Sequence, residues 1–123
     1  MKRSPDLLRE LLLHYESKPN DRMDASPTID GFSKLEVDYH LLLMYEAGLV
    51  RAEAALSKTG RVIRVYPFSL TWEGHELLDA ARNATTWKRV KKSVLSKTGS
   101  VSIELLKAAL LAYAKGKVGL TAA

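Results

Sequence analysis

His75, Glu76 and Asp79 are the residues whose types and spacing come nearest to metal chemistry, because helical spacing puts the imidazole of His75 and the carboxylate of Asp79 on one face. The string His75-Glu76-Leu77-Leu78-Asp79 lacks the second histidine of a zinc-hydrolase helix. A structural role within the core is therefore expected for His75, and no metal. His40 is expected as a partly buried packing residue, and His14 as a helix-end residue suited to the dipole. Anion chemistry has more support. Lys58, Arg61 and Arg64 surround Gly60, and Lys88, Arg89, Lys91 and Lys92 crowd a short stretch downstream. A glycine-tipped basic hairpin suits phosphate or a minor groove, and helical spacing sets Lys88, Lys91 and Lys92 on one side, opposite part of a Trp87, Val90, Val94 stripe. Such contacts give sequence-independent affinity.

Covalent chemistry is not expected. There is no cysteine, Gly31, Gly48, Gly60, Gly74 and Gly99 are isolated rather than gathered into a phosphate loop, and no nucleophile-plus-base set assembles from local sequence. We expect a protein that is not an enzyme and carries no cofactor. The aromatic residues Trp72, Trp87, Tyr39, Tyr45, Tyr66 and Tyr113 stand at helix or strand positions that a small core would use, so packing is expected of them rather than base stacking.

The elements that must position these groups follow from spacing and punctuation. Ser4-Pro5-Asp6 opens a helix whose Leu7, Leu8, Leu11, Leu12 and Tyr15 recur at helical intervals and which ends near Ser17. Residues 18–31 predict a loop, with at most a short edge strand at Thr28-Ile29. Ser33 and Glu36 form a capping box for a second helix through Val37, Leu41 and Met44, stopped by Gly48. Arg51–Leu56 and Val62–Phe68 flank a turn at residues 57–60 and predict a hairpin, with Pro67 marking the edge or end of pairing. Thr71 caps a third helix bearing Leu77, Leu78 and Ala81, broken at residues 83–86. A fourth helix carries the Trp87, Val90, Val94 stripe and ends near Thr98-Gly99. A fifth follows Ser102 with Ile103, Leu106, Leu110 and Tyr113 aligned, a stripe that either closes the core or pairs with a second copy in a homodimer. From Gly116 onward the chain is expected to fray.

The 123 residues are 46% hydrophobic and carry a net charge of +5, an ordinary globular composition long enough to bury a core without disulfides. No apolar run approaches the roughly 20 residues of a membrane span, and no secretory segment follows Met1-Lys2-Arg3. A cytoplasmic protein with no membrane partner is expected. The charge is uneven: six basic against nine acidic residues over 1–50, and nine against one over 82–123. An anionic partner belongs to the second half.

Helix, loop, helix ending in Ala47-Gly48-Leu49-Val50, hairpin, then Leu70-Thr71-Trp72-Glu73-Gly74 opening another helix resembles the winged-helix arrangement of bacterial transcription regulators. Tyr39-His40-Leu41, Tyr45-Glu46-Ala47-Gly48-Leu49-Val50, the run from Leu70 to Asp79 and Trp87 resemble something narrower, the uncharacterised bacterial and phage domain-of-unknown-function family 2513, over nearly the whole chain. The resemblance implies a mainly α, winged-helix-like fold with a small β-hairpin and two C-terminal helices; residues 18–31 depart from it, with no amphipathic pattern for the supporting helix, so a degenerate helix-turn-helix is expected. It also implies a phage-linked context but no activity. We expect a winged-helix-like domain over 1–82 and a helical extension over 83–123 packed on it as a single compact unit.

By analogy the helix after Ser33 would read the major groove. With Val37, Leu41 and Met44 turned inward, its other side presents Leu35, Tyr39, Leu42, Glu36, Asp38 and Glu46, and Lys34 is its only basic residue. Groove readers offer Arg, Lys, Asn or Gln. That helix is instead expected to pack on both sides, against the C-terminal helices or a partner. Two functions follow as expectations. One is a phage- or prophage-linked transcriptional regulator that contacts the backbone of double-stranded DNA through Lys58, Arg61, Arg64, Lys88, Arg89, Lys91 and Lys92. The alternative is a protein-interaction module, such as a phage-encoded inhibitor of a host protein, that works through Leu35, Tyr39, Leu42 and Glu46 without DNA.

Overall fold

The computed structural model describes residues 1–98, 104–110 and 112. In chain order they form α1 (Pro5–Glu16), α2 (Lys34–Glu46), the antiparallel strands β1 (Val50–Leu56) and β2 (Val62–Leu70), α3 (Trp72–Ala81) and α4 (Ala84–Thr98), followed by a helical stretch over residues 104–110. The class is mainly α with one small hairpin. Ile103, Tyr113, Gly99 and the end from Gly116 lie outside the described residues, whereas Leu106 and Leu110 are buried. The chain divides into two compact units, Met1–Glu76 and Leu77–Ala123, so the division falls inside α3.

In the first unit the core grows from α1 and α2. Ser4 caps α1 by accepting from the Leu7 N–H, and Leu7, Leu8, Leu11, Leu12 and Tyr15 are buried. Each such leucine contributes about 1.5–3 kcal/mol by leaving water. α2 buries Val37, His40, Leu41 and Met44, and its capping box at Ser33 and Glu36 is complete. The backbone N–H and hydroxyl of Ser33 hold the Glu36 carboxyl below its ordinary value. His40 does more than pack. Its Nε2 accepts the Ser4 N–H at 2.7 Å, which leaves the proton on Nδ1 to be donated to the Glu36 carbonyl at 2.8 Å. A neutral imidazole thus ties the cap of α1 to the first turns of α2.

The segment between α1 and α2 has no helix and no strand, as the loop reading expects, and the short edge strand allowed at Thr28-Ile29 does not form. The segment is anchored through its earlier residues instead. The Asp24 N–H donates to the Pro67 carbonyl at 2.9 Å, the Lys18 ammonium donates to the Phe68 carbonyl, and Tyr15 Oη donates to the Asp24 carbonyl at 2.6 Å. Burial, with the Asp24 and Asp38 carboxylates behind it, raises the Tyr15 phenol far above its ordinary value. His14 meets the Asp24 carboxylate at 2.6 Å, a partner that a helix-dipole role did not supply. Pro67 does not end the pairing either. β2 runs on to Leu70, with Pro67 opposite Ala52 at a register shift, where a residue without an N–H is tolerated.

The second unit buries Leu77, Leu78, Ala81, Trp87, Val90, Val94, Leu106 and Leu110. Asn83 caps α4, its side chain accepting the Thr86 N–H and its carbonyl the Trp87 N–H, so the break after α3 is confined to Arg82 and Asn83.

Candidate nucleic-acid interface and an adjoining groove

The hairpin tip is a self-bonded turn. The Ser57 N–H donates to the Arg61 carbonyl at 2.8 Å, the Gly60 N–H returns to the Ser57 carbonyl at 3.0 Å, and Ser57 Oγ accepts the Arg61 N–H. Gly60 sits at φ +86°, a conformation that favours glycine. This turn holds Lys58 and Arg61 in solvent. Arg64 differs from them: it is half-buried, its guanidinium lies 5.2 Å from the centre of the Tyr66 ring, and its Nε is buried with no hydrogen-bond partner. It belongs to the wall of a groove and not to the tip.

α4 has no acidic residue along its whole length. Thr86, Trp87, Val90 and Val94 face inward, which leaves Lys88, Arg89 and Lys92 exposed among Thr85, Ser93 and Ser96. Lys91, expected beside Lys88 and Lys92, flanks the buried stripe, is half-buried and has an interaction within the chain. The cationic face of α4 is therefore Lys88, Arg89 and Lys92. Because the hairpin and α4 lie in different compact units, each stands as a cationic surface in its own right.

Within its own compact unit, the outer face of α2 is not fully covered. Leu35 is 65% exposed, Glu46 is exposed, and Tyr39 and Leu42 are half-buried. Across from that face, Arg61 of the turn and Val62, Ile63 and Arg64 of β2, together with Met1, complete a groove of about 440 Å³. Ile63, 58% exposed, was missed by sequence reasoning, although Val62-Ile63 already places apolar residues on both faces of the strand. A larger groove of about 630 Å³ lies along α1 and is lined by Asp6, Glu10 and Asp30, the wrong sign for an anionic partner.

The metal-like set dissolves into exposed side chains. His75, Glu76 and Asp79 are all exposed, so His75 does not enter the core. Asp79 pairs with Arg82 at 2.9 Å, and among the described residues no group of three or more ligating side chains could hold a metal ion. Trp72, expected in the core, is 73% exposed with its Nε1–H donated to Glu76, whereas Trp87 is buried as expected.

Two of the phrases that carried the family resemblance, the one ending at Val50 and the one starting at Leu70, meet in one mechanical device. The Thr71 hydroxyl donates to the Gly48 carbonyl at 2.5 Å and accepts the Gly74 N–H at 3.1 Å, while the Thr71 N–H donates to the Leu49 carbonyl at 3.0 Å. Gly48 turns the chain at φ +73°. A Cβ at Gly74 would stand 2.2 Å from the Leu49 carbonyl oxygen, so only glycine lets α3 start this close to the end of α2. The family described as Hypothetical protein (DUF2513) matches residues 2–100. The chain belongs to the DUF2513 family. An uncharacterized protein of Haemophilus influenzae is 38% identical over 110 residues, covering 87% of this chain and 90% of its own. No solved structure matches this DUF2513 chain. Among its described residues, no helix is long and apolar enough to cross a membrane.

Proposed function

We propose that the protein is a small DNA-associated regulator that grips the phosphate backbone of double-stranded DNA through Lys88, Arg89 and Lys92 of α4, with Lys58 and Arg61 of the hairpin as a second, separate contact. The observation that carries this reading is the solvent face of α4, where Lys88, Arg89 and Lys92 stand exposed beside small hydroxyl side chains and Leu95, in a helix without a carboxylate. Phosphate contacts of this kind supply affinity without base readout. α2 is unsuited to reading bases, because Lys34 is its only cation and its exposed face is apolar and acidic.

A mobility-shift titration with a random-sequence duplex at low salt tests the reading. Binding is expected, and Lys88→Ala with Arg89→Ala and Lys92→Ala together should weaken it at least about tenfold, a modest share of the electrostatic affinity that several phosphate contacts supply. No binding to any duplex at low salt would overturn it.

A further inference from the structure

The groove between α2 and β2 takes no part in the proposed DNA contact of α4 and shares only Arg61 with that of the hairpin, and its two walls differ chemically. On the α2 wall, Leu35 and Tyr39 with Leu42 behind them offer apolar surface, Leu35 being 65% exposed. The wall's carboxylate, Asp38, accepts the Ser26 hydroxyl at 3.0 Å. On the opposite wall stand Ile63, 58% exposed, and Arg64 of β2, with Arg61 just before the strand. The Nε–H of Arg64 is buried without an acceptor and out of a partner's reach, so a partner would meet Arg64 through its terminal guanidinium edge. Such an edge is matched in geometry by a carboxylate that can take two parallel bonds. Exposed apolar side chains beside arginine and tyrosine are the composition of a protein-binding surface, whereas a phosphate backbone would leave Leu35 and Ile63 facing charge.

We propose that this groove docks a segment of another protein that lays apolar side chains against α2 and sets a carboxylate on Arg61 and Arg64. The experiment is an NMR titration of the full chain with a short leucine-and-glutamate peptide. Its counterparts are the same peptide with lysines for the glutamates, one with serines for the leucines, and a random-sequence DNA duplex. The acidic leucine peptide is expected to move the amide signals of Leu35, Tyr39 and Ile63 and the Arg64 Nε–H signal. Leu35→Ser and Arg64→Lys should each weaken binding about tenfold, the factor that corresponds to losing one good contact. Leu35 is exposed and Arg64→Lys keeps the stem and the charge while losing the planar fork, so neither change threatens folding. The proposal is overturned if those signals do not move, if the lysine or serine peptide moves them equally, if they shift with protein concentration alone, as a second copy would cause, or if the duplex by itself moves the Leu35 and Tyr39 signals as the peptide does.

Discussion

The clasp at Thr71 and Gly74 and the cationic face of α4 are opposites in how they are written. The clasp is a string of specific residues at fixed spacing, and every one of its polar atoms named above bonds to another part of the same unit. The α4 face is compositional: cations and hydroxyls in a helix without carboxylates, in no fixed pattern. The recognisable phrase therefore builds the fold, while the plain one is left facing solvent and available to a partner. Changes to the clasp should move stability, and changes to the α4 face should move binding alone.

The largest stability effect is expected from Gly74→Ala, which must displace the Leu49 carbonyl or the start of α3. A loss of about 3 kcal/mol or more is expected in denaturant unfolding, at the upper end of overpacking costs. A variant as stable as the parent would show that the close approach can relax. Thr71→Val comes next, at about 1–2 kcal/mol, because it strands the Gly74 N–H and the Gly48 carbonyl while keeping the side chain's shape.

Tyr15→Phe is expected to cost about 1 kcal/mol at neutral pH by removing the bond to the Asp24 carbonyl. It also carries a pH signature. The folded phenol is held above its unfolded value, so its contribution is complete below about pH 10 and is lost as pH rises beyond that. Unfolding curves across that alkaline range should fall less steeply for the variant than for the parent, and parallel curves would remove Tyr15 as the cause.

Much of this was legible in the sequence where the physics is local. Ser4 with Pro5, Ser33 with Glu36 and Gly48 each announce a helix end through their own conformational preferences, and the structure places caps and the positive φ there. What distant backbone decides was not legible. Asp24 finding Pro67, or His40 finding the Ser4 N–H, leaves no trace in spacing. Periodicity was also misleading about cover. It showed that α2 has two non-polar sides, but not that the outer one leaves Leu35 in solvent. Trp72 fails for a related reason: its residue type favours burial, yet the first position of α3 faces outward, where its N–H meets Glu76. Of the seven cations expected at the interface, solvent exposure separates Lys58, Arg61, Lys88, Arg89 and Lys92 from half-buried Arg64 and Lys91.

The smallest stability effect should come from replacing Lys88, Arg89 and Lys92 with alanine, within about 0.5 kcal/mol for each surface change. That silence makes the variant the sharpest probe of function. Duplex affinity measured by fluorescence anisotropy over a range of salt concentrations gives the number of phosphates neutralised from the slope of log K against log salt. We predict that the triple variant, folded as the parent is, lowers the magnitude of that slope by about 0.9 for each cation that contacts a phosphate. An unchanged slope, or no duplex affinity in the parent, would contradict the assignment of α4 as the DNA-contacting face.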